Sequence, residues 1–185
     1  MNSEKSQDGL QVATFAGGCF WCTEAVFLQL DGVKSVVSGY TGGQTQNPTY
    51  AEISNGDTGH AESIRISFEP AKVTYAELLE IFFATHDPTT LNRQGNDIGT
   101  QYRSEIFYHS EEQKNLAESY IAQLDQAKTF GKKIVTKVSP APKLYPAEDY
   151  HQNYYARNKG QSYCSYVITP KVEKVRANYT EKLKK

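Results

Sequence analysis

The sequence predicts an α+β fold, with a mixed β-sheet packed with helices in one domain spanning residues 10–185. Three observations lead there. Short runs with strand-like alternation interleave with helical segments that open on capping signatures. The spacing of these runs fits a two-layer sandwich better than a doubly wound nucleotide-binding sheet. No repeat, low-complexity tract or linker divides the chain, and its 185 residues suit one substantial core.

The elements follow in order. Leu10 to Ala16 reads as a strand, and Phe20 to Leu30 as a helix closed near Gly32. Val33 to Tyr40 is a second strand, followed by a Gly/Asn/Gln loop. Asn47 reads as an N-cap with Pro48 at the first helical position. His60 to Phe68 alternates as a strand, and Thr74-Tyr75-Ala76-Glu77 is a capping box opening a helix through Phe83. Arg103 to His109 is a strand, and Ser110-Glu111-Glu112-Gln113 opens a helix to about Ala127. Lys133 to Val138 is a further strand, after which the chain reads as loop until a helix beyond Pro170. Residues 1–9 read as a disordered polar tail without the apolar centre of a signal peptide, so the expected compartment is the cytoplasm.

Composition narrows the function classes. A formal net charge of −1 gives no electrostatic case for nucleic acid. No apolar run approaches the ~18 residues of a membrane-spanning helix. No heptad or apolar strip argues for association, so a monomer is expected. The three cysteines, Cys19, Cys22 and Cys164, are too few and odd in number for a disulfide framework, which leaves redox catalysis or metal binding. Zinc would need about four ligands, and no second close Cys/His pair exists to complete them, so no metal is expected. The one methionine is Met1, so the chain offers almost no thioether of its own.

The chemistry concentrates at Gly17-Gly18-Cys19-Phe20-Trp21-Cys22, where a strand gives way to a helix. Free N–H groups and the positive dipole end of a first helical turn favour a thiolate, and a thiol of pKa ~8.5 falls to roughly 3.5–7.5 in such settings. Cys19 is therefore the candidate nucleophile, with Phe20 and Trp21 as an apolar wall and two glycines that allow close approach of a ligand. Strand parity puts Glu62 on the same face as Ile64, Ile66 and Phe68. A carboxyl group on that face is desolvated and able to stay protonated as a general acid, unless it lies at the strand edge and reaches water. The segment His86 to Gln101 has no period and is dense in hydrogen-bonding groups, which makes Asp97 and the following Tyr102 pocket candidates. Cys22, three residues after Cys19, forms either a dithiol pair with it or an inert buried thiol. His60 and His151 read as structural hydrogen-bonding residues, with His60 also a candidate for substrate binding. Cys164 lies in a polar stretch that reads as a mobile loop, suited to a travelling thiol or to an incidental one.

Together these segments resemble the A-type peptide methionine sulfoxide reductases over nearly the whole chain. The resemblance is carried by Gly18-Cys19-Phe20-Trp21, Asn47-Pro48-Thr49-Tyr50, Thr58-Gly59-His60-Ala61-Glu62 and His86-Asp87-Pro88-Thr89. Asn96-Asp97-Ile98-Gly99-Thr100-Gln101-Tyr102-Arg103-Ser104, Ala147-Glu148-Asp149-Tyr150-His151-Gln152 and Tyr163-Cys164 extend it. It implies a ferredoxin-like sandwich and reduction of the S epimer of methionine sulfoxide, free or in oxidised peptides and proteins. It implies Cys19 as nucleophile, Phe20 and Trp21 as the pocket for the substrate methyl, and Glu62, Tyr50 and Tyr102 at the sulfoxide oxygen. Asp97 joins them in that network. A sulfenic acid on Cys19 would be resolved by a second thiol and the disulfide reduced by thioredoxin or another dithiol, with no bound cofactor. Much of the family has glycine where this chain has Cys22. Cys164 matches the resolving position and is favoured, with Cys22 as alternative or relay. Two other readings compete: a general dithiol–disulfide oxidoreductase using Cys19 and Cys22, and a catalytically silent peptide-binding module.

Overall fold

A computed structural model describes residues 9–184, so the expected N-terminal tail lies outside the described residues except for Gly9. The chain runs β1 (Gln11–Gly17), α1 (Phe20–Phe27), β2 (Val33–Thr41), α2 (Tyr50–Ser54), β3 (Ala61–Phe68) and α3 (Tyr75–Ala84). A two-residue hairpin follows, β4 (Arg93–Gln94) with β5 (Asp97–Ile98), then β6 (Ser104–Tyr108) and α4 (Glu111–Gln126). The last elements are β7 (Lys137–Pro140), β8 (Tyr145–Pro146), α5 (Tyr154–Arg157) and α6 (Thr169–Asn178).

The main sheet is ordered β7-β6-β1-β3-β2-β8. Its inner four strands, β6-β1-β3-β2, pair antiparallel, and α1 and α3 supply the crossovers, which is the split βαβ topology of a ferredoxin-like sandwich. β7 adds in parallel to β6, which makes the sheet mixed. Register follows side-chain parity. Phe15 sits opposite both Ile64 and Ile106, so these apolar residues of three strands share one face. Phe15 stacks on Phe82 of α3 with ring centroids 4.8 Å apart and meets Phe27 of α1 at 5.7 Å. The described core is built from Phe, Ile, Leu, Val, Ala and Tyr, and contains no methionine.

Several local expectations are corrected. The short helix after the glycine-rich loop starts at Tyr50 because Thr49 caps it, in a reciprocal box with Glu52. Asn47, expected to cap, instead adopts a left-handed turn at φ 47°. The strand expected at Lys133 to Val138 begins at Lys137, where pairing with Glu105 starts. The segment containing Cys164 is helical: a π-turn at Cys164–Ile168 runs directly into α6. Pro170 gives no N–H to the preceding turn, and the widened turn lies immediately before it.

Candidate active site at the start of helix α1

β1 delivers the chain to the site through two glycines. A side chain at Gly17 would meet Phe82 at 2.8 Å. Gly18, at φ +90°, has Gln94 at 2.6 Å from where its Cβ would be, so the glycines admit the protein's own side chains rather than a ligand. Cys19 then occupies the N-cap of α1 without capping it. The backbone N–H groups of this first turn, that of Trp21 above all, favour a thiolate, but the residue is only 8% exposed. Burial wins, with the neighbouring Cys22 and Glu62 adding to it, and the Cys19 thiol is pushed well above its ordinary value. The expected low-pKa thiolate at this position is thus corrected: Cys19 rests as a thiol.

Glu62 faces it from β3. The residue is 2% exposed, as its parity with Ile64 and Ile66 predicts. Burial pushes its carboxyl up to about 8, against the single backbone N–H of Phe20 that donates to Oε1 at 3.2 Å. Near neutrality it is therefore a neutral acid at the edge of α1. Tyr50, at the first turn of α2, and Tyr102, in the turn before β6, both sense charge at Glu62 and Cys19. Burial moves Tyr50 up to about 12 and Tyr102 upward as well. Asp97 on the β4–β5 hairpin acts on both phenols and on Glu62. Five side chains from α1, α2, β3, the hairpin and the following turn thereby converge on one spot.

The aromatic wall divides into two parts. Trp21 remains partly exposed and is clamped: its indole N–H donates to His151 Nδ1 at 3.0 Å, and its ring stacks on Tyr154 at 3.7 Å and 6°. Phe20 is fully buried between Tyr40 and His151 and backs the wall from the core. His60 does not join them. Its Nδ1 accepts from Gly43 N–H at 3.0 Å, so Nε2 donates to the Thr45 carbonyl at 2.6 Å, and both nitrogens hold the loop after β2. The expected substrate contact through His60 is corrected to a structural one.

All three cysteines are free, and they share one small cluster with Ala25, Ile168 and Val172. The neighbouring Cys19 thiol, with help from Lys171 and Tyr163, brings Cys22 down to about 7 despite burial. Cys164 is fully buried in its π-turn, not on a mobile loop, and its thiol is raised by burial and by Cys22. Cys22 therefore acts on both of the other thiols. Sequence reasoning gave Tyr154 and, beyond its place in the Tyr163-Cys164 motif, Tyr163 no role, although the aromatic density after His151 was the available signal. It also passed over Glu24, which is 2% exposed and pushed up to about 7 by burial while accepting from Ser38 and the start of α5. Among the described residues no group of His, Cys, Asp and Glu converges as a metal site. A cavity between α3, α4 and α6 is lined by none of the residues that converge here.

The family model for peptide methionine sulfoxide reductase matches residues 11–183 of the chain. The chain belongs to the peptide methionine sulfoxide reductase family. A peptide methionine sulfoxide reductase MsrA of Acinetobacter baumannii is 58% identical over 175 residues, 95% of this chain and 99% of that one. Among solved structures, reduced Mxr1 of Saccharomyces cerevisiae superposes with TM-score 0.81 at 34% identity, covering 87% of this reductase and 92% of Mxr1. Mxr1 in complex with Trx2 aligns with TM-score 0.59 at 26% identity, covering 82% and 88%. No helix among the described residues is long and apolar enough to cross a membrane.

Proposed function

We propose that this reductase converts the S epimer of methionine sulfoxide, free or in oxidised peptides and proteins, to methionine. The observation that carries the reading is a buried thiol at Cys19 facing a neutral carboxylic acid at Glu62, between Tyr50 and Tyr102. A sulfoxide is polarised, positive at sulfur and negative at oxygen. The apolar wall of Trp21, backed by Phe20, suits the substrate methyl group. Tyr50, Tyr102 and Glu62 suit the oxygen, and Asp97 tunes them. As the Cys19 sulfur bonds to the substrate sulfur, Glu62 and the Cys19 thiol each give a proton to the oxygen, the S–O bond breaks and water is released. Water then attacks the Cys19 sulfur, the S–S bond breaks with its electron pair going to methionine, Glu62 regains a proton and Cys19 becomes a sulfenic acid.

The next step joins Cys22 to Cys19 as a disulfide and releases water. Cys164 then attacks the Cys22 sulfur, forms Cys22–Cys164 and returns Cys19 as a thiol. The adjacency of Cys22 to Cys19 supports this order over direct resolution by Cys164. A thioredoxin-like dithiol is the electron donor, which accords with a relative's complex with Trx2. Three free thiols suit a reducing compartment, and the reading is of a monomeric cytoplasmic enzyme with one catalytic domain over residues 10–185.

The test is one turnover on each sulfoxide epimer without reductant, with methionine quantified and the disulfides mass-mapped. One equivalent of methionine from the S epimer alone, with Cys19–Cys22 preceding Cys22–Cys164, is expected. No methionine from either epimer would overturn the reading in favour of a silent binding module.

A further inference from the structure

One phenol touches every part of the thiol system outside Cys19. Tyr163 Oη donates to Asp97 Oδ2 at 2.7 Å and lies 3.7 Å from Cys22 Sγ. Its ring stands edge-on to Trp21 at 5.9 Å and 80°. In sequence it immediately precedes Cys164, the first residue of the π-turn. Tyr163 thus ties the β4–β5 hairpin, the first turn of α1 and the helix carrying the third thiol to one oxygen.

We propose that Tyr163 is a positioning residue of the thiol relay, whose hydroxyl prepares Cys22 to resolve Cys19 and seats Cys164 beside Cys22 for the exchange that follows. The inference rests on the function proposed above.

The argument is one of proton counting. A phenol has one proton and can donate it once, although its oxygen can also accept. That proton points to Asp97 Oδ2 at 2.7 Å, and the Cys22 S–H is free to donate to Oη. When Cys22 becomes a thiolate, the phenol proton has a second, anionic acceptor within reach. Besides Tyr163, the groups facing Cys22 are Cys19 on α1, Cys164 in the π-turn, Lys171 on α6, Asp97 on the hairpin and Glu62 on β3. Cys19 and Lys171 favour the thiolate, whereas Asp97 opposes it. Once Cys22 is in a disulfide with Cys19, it has neither proton nor charge, and Tyr163 retains Asp97 as its polar partner. The turn bearing Cys164 then stays docked against the start of α1 through that bond together with the ring's contact on Trp21. The exchange needs no outside reactant: Cys164 loses its proton as it bonds to Cys22 Sγ, and Cys19 leaves as a thiolate and takes up a proton.

The experiment uses the full chain and its Tyr163→Phe variant, which keeps the ring against Trp21. Each is given one equivalent of methionine (S)-sulfoxide without reductant. The reaction is stopped at intervals with a sulfenic-acid-trapping dione, and the adducts and disulfides are mapped by mass. In parallel, the pH midpoint of Cys22 alkylation is measured in the reduced proteins. The variant should form methionine within about threefold of the parent rate, while sulfenic acid trapped on Cys19 persists roughly tenfold longer, the scale of a lost hydrogen bond to a charged group. Its Cys22 midpoint should rise and Cys22–Cys164 should form more slowly. Equal trapping and an equal midpoint in both proteins overturn the proposal. So does a variant whose methionine formation falls in step with resolution, because Tyr163 would then serve sulfoxide reduction itself. Absence of methionine from the parent protein refutes the proposed function instead, which keeps the two failures distinct.

Discussion

The start of α1 and the π-turn before α6 each hold a buried cysteine in a helical segment, yet their chemistry differs. At the start of α1 the backbone N–H groups have no helical partner. Phe20 N–H is turned to use by binding Glu62, and that of Trp21 favours a thiolate at Cys19. In the π-turn Cys164 is a helix-interior residue whose own carbonyl accepts from Thr169, and its thiol meets burial without a compensating donor. The two buried thiols therefore differ in their surroundings: Cys19 has backbone donors at a helix start and the neutral Glu62 carboxyl beside it, which Cys164 lacks.

The sharpest break of this contrast is Cys19→Ser. Methionine formation should fall to background in a first-turnover assay, whereas Cys164→Ser should leave that first turnover intact. Serine is also a better N-cap than cysteine, so the dead variant should melt higher by roughly 2–4 °C, the effect of ~1 kcal/mol in a chain of this size.

Removing the acid is next in size. Glu62→Gln keeps the acceptor for Phe20 N–H but has no proton to give, and kcat should drop by about 10²–10⁴. The parent enzyme should lose first-turnover rate as pH rises through about 8, because the protonated carboxyl is the active form. Stability runs the same way. Between the ordinary value of 4.5 and about 8 the folded protein holds a proton on Glu62 that the unfolded chain has released, so raising pH through that window destabilises the fold. Glu24 adds to this between 4.5 and about 7. Glu62→Gln should therefore gain thermal stability relative to the parent as pH rises from 5 to 8, and a difference in melting temperature that is the same at both pH values would contradict a neutral buried acid.

Smaller effects refine the comparison. Cys22→Ser should cut steady-state turnover with a thioredoxin-like dithiol by about tenfold while sparing the first methionine, and full turnover would restore Cys164 as the direct resolver. Thr49→Ala makes the start of α2 resemble the side-chain-uncapped start of α1, and should cost about 1 kcal/mol in denaturant unfolding.

Much of the fold was legible because it rests on local signals. Alternation in β1, β2, β3 and β6 and the caps at Thr74 and Ser110 each place an element from a few neighbouring residues. Both caps are looser than the boxes their sequences suggest, since the Glu77 carboxylate pairs with Lys182 and Gln113 Oε1 accepts from His109 rather than Ser110. What escaped was set by distant partners. β8 is two residues long and exists because Gly39 and Tyr40 offer an edge. At the site, the motifs singled out Cys19, Glu62, Tyr50, Tyr102 and Asp97, and parity foretold the buried carboxyl. The charge state of Cys19 was misjudged, because a helix start favours a thiolate and the sequence does not reveal the burial that outweighs it. The partnership of Cys22 with Tyr163 spans 141 positions and had no local signature.

The composition of the core carries one further consequence. A protein that repairs oxidised thioethers works where oxidants are present, and such oxidation turns a flexible apolar side chain polar and disrupts a core that contains it. This chain has a single methionine, at its first position, and its described interior is filled by aromatic and aliphatic groups. The oxidant that creates the substrate thus finds no interior target of the same kind in the catalyst, and the fold stays intact under the conditions that call for it.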